Sequence, residues 1–233
     1  SGDTIDGGNG TDVLRVTVST NFDDESDNQK PDITNVEEIQ VANKSDDEYM
    51  LDLQFSSGFN TITLDQPLGD VELTNMNELV STINLIGAED TNTDLDISVK
   101  NAVANGDITV NLNNSDNQLY IERNDGDDLV ENVTIHSMGG DENYLEFENS
   151  SIVESYTIDG DTDLELYHET TGDADDALSV DAWQLMGGLY FYSEGDDSDT
   201  TVLGGTGDND ITTEDGDDTV TTQDGDDEID TND

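Results

Sequence analysis

The most regular part of the chain is GGTGDNDITTEDGDDTVTTQDGDDEID, residues 204–230. It divides into three nine-residue units, GGTGDNDIT, TEDGDDTVT and TQDGDDEID. A fixed period of this kind is typical of stacked repeat architectures. Glycine, an acid or amide, and a large aliphatic residue hold the fourth, sixth and eighth positions of the units, respectively: Gly207, Gly216 and Gly225; Asn209, Asp218 and Asp227; Ile211, Val220 and Ile229.

Each unit is expected to combine a turn with a short strand whose aliphatic side chain faces a core. Glycine permits the positive φ angles of the turn, which directs backbone carbonyls and the sixth-position carboxylate to one point. Oxygen atoms from two stacked turns then supply the six to eight ligands that Ca²⁺ prefers. If strands alternate between two sheets, turns on one edge are 18 residues apart. Asn209 is then expected to face Asp227, and Asp218 to need a partner beyond Asp233.

The composition makes bound cations an essential part of this interpretation. The chain has 233 residues, with 59 Asp and Glu against 5 Lys and Arg, a formal net charge of −54 and only 31% hydrophobic residues. Such a composition is typical of disordered chains, because burial is too weak to offset charge repulsion and backbone entropy. There is no cysteine, so disulfides and thiolate metal sites are excluded. We therefore expect several Ca²⁺ ions to stabilise the fold.

The same nonapeptide opens the chain. GGNGTDVLR, residues 7–15, fits every template position, and the preceding SGDTID fits the second half of a unit. A start within a repeat suggests a fragment or a processed product, and the three C-terminal units suggest an array cut short. No signal peptide opens the chain, and no apolar run approaches the roughly 18 residues of a membrane span. We expect calcium-binding rungs over 1–15, an irregular solenoid over 16–203 and a truncated repeat array over 204–233.

Between the two blocks, short alternating strand patterns recur mostly every 8 to 14 residues. This spacing suits a sandwich, a barrel or a solenoid. We favour an all-β, right-handed parallel β-solenoid of the β-helix or β-roll type, whose stacked rungs bury an aliphatic ladder without a thick core. The spacing runs continuously into the nonapeptide blocks, and Asn, Asp and Gly turns flank many strands. A β-sandwich is the alternative.

Acidic turns within the middle are weaker calcium candidates. NDGDDLV carries the half-motif through Gly126, Asp128 and Val130, and DGDTDLEL resembles it. The competing interpretation is a solvated β-turn in which Asp bonds its own backbone. Weaker still are Asp173, Asp175 and Asp176. The expected calcium-binding positions are Asp3, Gly8, Gly10, Asp12, Asp125, Asp128, Asp161, Asp163, Asp197, Asp199, Gly205, Gly207, Asn209, Gly216, Asp218, Gly225 and Asp227.

One segment, residues 175–192, breaks the strand rhythm. ALSVDAWQLM predicts a short helix with Trp183 and Met186 on an apolar face, which would plug or cap a solenoid end or pack on its side. The aromatic run that follows, residues 189–192, is interpreted as a core strand or as a protein contact surface.

No motif points to catalysis, and we expect no enzymatic activity. His136 and His168 lack partners at zinc spacing, Ser151 lacks a nucleophile-elbow motif, and no phosphate-binding glycine loop is present. A surface of this charge opposes binding to nucleic acid and anionic membranes. We expect no membrane insertion, and acidic polysaccharide to bind only through bridging Ca²⁺.

The nonapeptides at 7–15 and 204–230 resemble those of the repeats-in-toxin (RTX) family of calcium-binding β-rolls. The resemblance implies calcium ligation at Asp12, Asp218 and Asp227, and at Asn209, where an amide replaces the usual carboxylate. It also implies type I secretion from a Gram-negative bacterium and folding outside the cell. Thr213 and Thr222 depart from the family's first glycine, which puts the backbone geometry of those two turns in question.

The middle of the chain, with segments such as ITNVEEIQVANKS and NAVANGDITVNLNN, resembles the solenoids of proteobacterial surface-layer (S-layer) proteins. That resemblance implies a calcium-dependent, self-assembling lattice on the outer cell surface. The alternatives are a calcium-binding module of a large secreted RTX adhesin and an inert folding domain behind an exported enzyme. High-salt adaptation, compatible with a marine origin, also explains the charge but not the nine-residue period.

Overall fold

A computed structural model describes residues 3–18, 30–87, 93–101, 103–140, 142–148, 152–170, 177–194 and 199–231. These residues form strands, turns and irregular segments and contain no helix. The strands in chain order are β1 Thr4–Asp6, β2 Val13–Val18, β3 Asp32–Thr34, β4 Glu38–Asn43, β5 Tyr49–Asp52, β6 Thr61–Asp65, β7 Val71–Met76, β8 Thr82–Ile86, β9 Thr93–Val99, β10 Gly106–Asn113, β11 Asp116–Arg123, β12 Val130–Met138, β13 Glu142–Glu148, β14 Ser155–Gly160, β15 Asp163–Glu169, β16 Leu178–Leu185, β17 Leu189–Glu194, β18 Thr200–Leu203, β19 Asp210–Thr213, β20 Thr219–Thr221 and β21 Glu228–Thr231.

Successive strands alternate between two parallel sheets. The even-numbered strands from β2 to β20 form a ten-stranded sheet, and the odd-numbered strands from β5 to β21 form a nine-stranded sheet. The short strands β1 and β3 pair with each other. All pairs of named strands are parallel within the described residues. This arrangement confirms the all-β solenoid and excludes a sandwich of antiparallel sheets.

The length of a rung varies along the solenoid and is shortest at the C-terminal end. Gln118 and Glu146 are in register across 28 residues, whereas Asn209 and Asp227 are neighbours across 18 residues. The expected 18-residue repeat of the nonapeptide block is therefore confirmed, and Asn209 faces Asp227 as expected. Asp218 also contacts the preceding rung, because its Oδ1 accepts a hydrogen bond of 2.9 Å from the Thr200 amide; its expected partner in the following rung stays a prediction.

The core is a set of aliphatic ladders between the two sheets. Alternation of inward and outward side chains along each strand produces them, as in β9, where every second residue is buried. Full burial of such a side chain contributes roughly 1.5–3 kcal/mol. One ladder in the ten-stranded sheet is formed by residues that are in register and fully buried: Ile39, Ile62, Ile83, Val110, Ile135 and Ile158.

The helix expected over residues 177–186 is wrong, because this segment forms strand β16. Leu178, Val180 and Ala182 point into the core, and strands β14 and β18 pair with β16 on its two sides. A register shift opposite β14 then leaves Trp183 44% exposed before the chain returns inward. Pairing on both edges thus outweighs local helical preference.

The neighbouring aromatic run, residues 189–192, is divided between core and surface. Leu189 and Phe191 are buried, whereas Tyr190 and Tyr192 lie on the outer face of the nine-stranded sheet. The core-strand interpretation is therefore confirmed for Leu189 and Phe191, and a contact surface formed by the two tyrosines stays a prediction. The exposed Met186 follows β16 and does not cap the solenoid.

Candidate calcium-binding turns

The N-terminal turn, residues 7–12, lies directly against the next rung. The Gly7 amide donates to the Thr34 carbonyl at 3.0 Å, and a Cβ at Gly7 would lie 2.0 Å from the Asn35 carbonyl oxygen. Only glycine permits so close an approach of two backbones. Gly8 and Gly10 have φ angles of 86° and 138°, as the turn requires. Three template glycines are thus explained by contacts or by backbone conformation.

Asp12 is the sixth residue of this turn, and one of its carboxylate oxygens is buried without a partner. The Asp12 amide donates to Glu37 Oε2 at 2.7 Å, and the Asp12 carbonyl accepts from the Glu37 amide at 3.1 Å. Oδ2 is buried and has no hydrogen-bond partner. Since an unpartnered buried carboxylate oxygen is costly, a cation beside Oδ2 is the group that would satisfy it. Asp12 Oδ2 is therefore the atom of this turn that a cation would contact, and Glu37 is the acid that the next rung places against Asp12.

Two acids near this site were not among the sequence candidates. Asp6 Oδ1 accepts hydrogen bonds from Asn35 Nδ2 at 2.8 Å and from the Gly8 amide at 3.0 Å, which together lower the pKa of this carboxyl. Glu37 lies 25 residues after Asp12. Only the register of β2 and β4 brings Glu37 there, so no local motif identifies it. Asp3 contributes its carbonyl, which accepts from the Asp32 amide at 2.9 Å.

The C-terminal turns stack backbone on backbone through their glycines. A Cβ at Gly225 would lie 2.5 Å from the Gly207 carbonyl oxygen, and one at Gly207 would lie 2.5 Å from the Gly188 amide nitrogen. A Cβ at Gly205 would lie 2.4 Å from the Gly187 carbonyl oxygen. The fourth-position glycines of the nonapeptides therefore permit tight stacking, and the stack extends to a glycine pair that sequence reasoning did not include. Gly216 lies in the turn between β19 and β20.

Asn209 connects three rungs at the centre of this stack. Its Oδ1 accepts from the Gly205 amide at 2.9 Å and the Leu189 amide at 3.1 Å. Its Nδ2 donates to the Gly207 carbonyl and to Asp227 Oδ1, each at 2.8 Å. The hydrogen bonds from Asn209 and Thr222 hold the pKa of Asp227 below its usual value. The amide protons thus occupy positions that a cation would fill beside a carboxylate.

The threonines that replace the first glycine of two units bond to the sixth-position carboxylates. Thr213 Oγ1 donates to Asp218 Oδ2 at 2.5 Å, within one unit. Thr222 bonds to Asp227 in the same way within the next unit, and this hydrogen bond lowers the pKa of Asp227. The backbone keeps the strand-turn-strand path at both positions. The substitution therefore adds a hydroxyl that bonds to the sixth-position carboxylate, and the chain keeps its path through the turn.

At the C-terminal end of the solenoid, acidic turns one rung apart are joined on both edges by a hydrogen bond from a backbone amide to a carboxylate. Asp199 Oδ1 accepts from the Asp217 amide at 3.0 Å, and Asp208 Oδ1 accepts from the Asp226 amide at 2.8 Å, each across 18 residues. Side chains of one sign are thus held one rung apart, an arrangement that divalent cations stabilise. The candidates Asp173, Asp175, Asp176 and Asp197 lie outside the described residues.

The middle turns differ from the terminal ones. At residues 124–128 the Arg123 guanidinium donates to the Asp128 and Val103 carbonyls, while Asp125 Oδ2 accepts from Asn101 at 2.7 Å. A guanidinium at this turn opposes a second cation, so the arrangement favours the solvated β-turn.

The turn at residues 160–163 uses its acids in hydrogen bonds between rungs. Asp163 Oδ1 accepts from the Gly188 amide at 2.7 Å, and Asp161 donates its amide to the Ser137 carbonyl at 3.1 Å. Asp163 therefore bonds to an amide of the following rung, whereas Asp218 bonds to an amide of the preceding rung, that of Thr200.

A further acidic group lies on the outer face of the nine-stranded sheet and not in a turn. Among the described residues, Glu146, Glu148 and Glu169 are the one set of three potential ligands whose oxygen atoms all lie within 4.8 Å of one another. Desolvation and the neighbouring acids raise the pKa of Glu148 and Glu169. This group was not predicted, although the alternation in YLEFE and LELYHE places these glutamates on one face. Exposed acids of this kind are common without an ion, so we assign none.

The positive charges are confined to one part of the molecule. All five Lys and Arg residues precede residue 124, and residues 124–233 contain 34 Asp and Glu residues and no Lys or Arg. Lys44 Nζ donates to the Gln66 carbonyl at 2.8 Å, Lys100 Nζ to the Gln54 carbonyl at 3.0 Å, and Lys30 pairs with Asp52 at 2.9 Å. The part of the chain up to residue 123 thus contains its own cations, and residues 124–233 contain none.

No protein-family model, curated protein or solved structure matches the chain in comparisons with all three. Within the part of the chain that the structure describes, no helical segment would span a bilayer.

Proposed function

We propose that this chain belongs to a calcium-dependent structural protein of the bacterial cell surface, a self-assembling subunit of an S-layer type of lattice. The observation that carries the proposal is the stacking of acidic turns on a part of the solenoid that has no Lys or Arg. Like charges one rung apart destabilise the fold unless cations lie between them. Calcium is the divalent ion whose flexible, oxygen-rich coordination suits such turns.

The ions would be held at both ends of the described solenoid. At the N-terminal end, Asp12 and Glu37 would ligate through carboxylate oxygens, with backbone carbonyls of the turn completing the site. At the C-terminal end, the carboxylates of Asp199, Asp208 and Asp218 would serve the stacked turns, whereas Asn209 takes the place of a cation beside Asp227. A site stabilises the folded state by about 2.7 kcal/mol when free Ca²⁺ is 100 times its Kd. Several sites together would convert an unfolded acidic chain into a folded solenoid outside the cell, as type I secretion of an RTX-like protein requires.

Circular dichroism with and without a chelator, at low and at molar salt, tests the calcium step. We expect the β-sheet signal to require Ca²⁺ at low salt and to return when millimolar Ca²⁺ is restored. A β-sheet signal that ignores the chelator would contradict the proposal. Folding in molar KCl without Ca²⁺ would favour high-salt adaptation instead.

Electron microscopy tests the structural role. We expect ordered sheets when millimolar Ca²⁺ is added to the purified protein. Protein that folds with Ca²⁺ but stays strictly monomeric under all these conditions would contradict the lattice and favour an inert folding domain.

A second candidate function, a module of a large secreted adhesin, is favoured by one surface feature. Trp183 lines an open groove with a volume of about 510 Å³. The other lining residues are Asp181, Gln184, Leu203 and Thr221. An exposed aromatic ring beside a few hydrogen-bonding groups is typical of a ligand site. Selective binding to a glycan array that is lost in Trp183→Ala would favour the adhesin.

A further inference from the structure

The two outer faces of the solenoid differ sharply in charge. On the nine-stranded sheet, each strand from β7 to β21 directs at least one carboxylate outward, and we call this surface the acidic face. Its acids include Glu72, Asp94, Asp96, Glu122, Glu146, Glu148, Glu165, Glu169, Glu194, Asp210 and Glu228. Two copies of a chain with a net charge of −54 cannot approach through this surface without strong repulsion.

On the ten-stranded sheet, the outer face carries columns of hydroxyl and amide side chains. We call this surface, from β4 to β18, the threonine face. The central column repeats one residue on five successive strands, in register: Thr61, Thr82, Thr109, Thr134 and Thr157. The adjacent column holds Thr63, Asn84 and Asn111, whose side chains bond to one another at 2.8 and 2.7 Å. These bonds fix the three uncharged side chains in a regular array.

The threonine face also carries acids, and these contact neighbouring groups. Asp107 accepts a hydrogen bond of 2.8 Å from the Asn132 side chain. Asp181, which follows Thr157 in the central column, accepts one of 3.1 Å from the Trp183 amide. Glu38 accepts a hydrogen bond of 2.6 Å from Thr63, and Asp65 accepts one of 2.8 Å from Gln40. Asp159 contacts the His136 ring at 2.5 Å. Such partners reduce the cost of covering a carboxylate with a second surface.

The area of the threonine face is sufficient for a specific interface. Strands in a sheet are about 4.8 Å apart and rise about 3.3 Å per residue, so eight strands of about five residues cover roughly 600 Å². Two such faces bury about 1,200 Å² in total, the lower limit of the standard interface size. Like-charge repulsion elsewhere on the surface makes association through this face dependent on salt or Ca²⁺.

We propose that the threonine face is the surface through which a second copy of this chain docks, face to face. The proposal rests on the lattice function proposed above and adds to it the surface by which subunits meet. Hydroxyl and amide groups at fixed spacing meet an identical array, as a two-fold symmetric interface requires. The acidic faces then point away from each other.

Sedimentation equilibrium of charge-reversed pairs tests this docking. Thr109→Glu/Thr134→Glu and Thr109→Lys/Thr134→Lys place opposite charges at the centre of the face, and Thr74→Glu/Thr212→Glu is the matched control on the acidic face. In millimolar Ca²⁺ and 0.15 M salt, roughly physiological ionic strength, we expect wild type and control to associate. Each threonine-face variant should associate at least about tenfold more weakly, as a 1.4 kcal/mol change implies. Mixing the Glu and Lys variants should restore association.

Circular dichroism confirms that each variant is folded, and the single exposed-site variant Thr157→Glu replaces any pair that is not. Association of both variants as strong as wild type, or a mixture that stays dissociated, would overturn the docking surface, as would wild type that never associates. The calcium proposal has its own measurement in the chelator response. If Thr109→Glu/Thr134→Glu forms sheets as well as wild type, the lattice function is retained and the threonine face is not the docking surface.

Discussion

At the scale of single residues, Asp12 gives the most direct test of calcium binding, because its buried Oδ2 has no protein partner. We expect the effect of Asp12→Asn on the free energy of unfolding to have opposite signs with and without Ca²⁺. In chelator the variant should be as stable as wild type or more so, by up to about 1–3 kcal/mol, since an unpartnered buried carboxylate is removed. In Ca²⁺ it should be less stable than wild type, because a ligand is lost. Urea denaturation with and without Ca²⁺ measures both differences.

The control for this residue is Asp6→Asn, because Asp6 is exposed and hydrogen-bonded to Asn35. We expect it to show a smaller Ca²⁺-dependent difference than Asp12→Asn. Equal loss of stability for Asp12→Asn with and without Ca²⁺ would refute the role of Asp12 as a ligand.

His168 predicts sensitivity to acid from within the core. Its ring is buried beside Tyr156, whose hydroxyl lies 2.9 Å from Nδ1, and burial lowers the pKa of His168 to about 4 from an ordinary value near 6.5. The unfolded chain therefore binds a proton first, and stability is lost as pH falls from about 6.5 towards 4. The loss approaches about 3 kcal/mol at pH 4.

Comparison with His168→Gln separates the loss of stability caused by His168 from that caused by the carboxylates, which titrate in the same pH range. Urea denaturation between pH 7 and pH 4, in chelator, measures it. We expect the stability of wild type relative to the variant to fall over this interval; a constant difference would show that the ring does not titrate in the way that burial implies.

At the scale of elements, the acidic face of the nine-stranded sheet predicts a pH dependence of stability opposite to that of His168. Desolvation, followed by Asp94 and Glu72, raises the pKa of Asp96 to about 6. A carboxyl whose pKa is raised in the folded state destabilises the fold above that pKa, and the penalty disappears as pH falls from about 6 to 4. We expect Asp96→Asn to stabilise the protein at pH 7 by about 1 kcal/mol after allowance for solvent screening, and to have little effect at pH 4.

Thermal or urea unfolding at the two pH values, in chelator, checks this expectation. The matched control is Asp230→Asn on the exposed last strand, where substitution should change stability by less than about 0.5 kcal/mol. A destabilising Asp96→Asn at pH 7 would mean that the carboxylate makes a favourable contact.

The C-terminal turns make a second prediction at the element scale. Thr213→Val keeps the shape of a buried side chain but removes the hydroxyl that donates to Asp218. We expect a loss of about 1 kcal/mol, with a reduced Ca²⁺ response, because the carboxylate is no longer oriented. Thr212→Val, the outward-facing neighbour, should leave both unchanged. Urea denaturation in Ca²⁺ and in chelator tests both variants; equal behaviour of the two would show that the hydroxyl is unimportant.

At the scale of the whole molecule, the uneven distribution of Lys and Arg predicts uneven stability in the absence of Ca²⁺. The rungs around Lys44 and Lys100 contain their own cations, whereas the rungs from 199 to 231 rely on added ones. Hydrogen exchange in chelator should show early loss of protection at 199–231 and slower loss at 39–112. Ca²⁺ should restore protection mainly at the C-terminal end and at 7–15. Uniform exchange along the chain would contradict this division.

The nonapeptide period was enough to predict the solenoid, the 18-residue rung and the pairing of Asn209 with Asp227, because a strict local period leaves only one stacking register. Other features follow only from the way in which the rungs stack. Rungs outside the nonapeptide block differ in length and separate partners by up to 28 residues. The pairing of Asp12 with Glu37 and the columns of the threonine face therefore follow from strand register and not from local spacing. Strand β16 formed where the residues predicted a helix, because neighbouring strands supply hydrogen bonds on both of its edges.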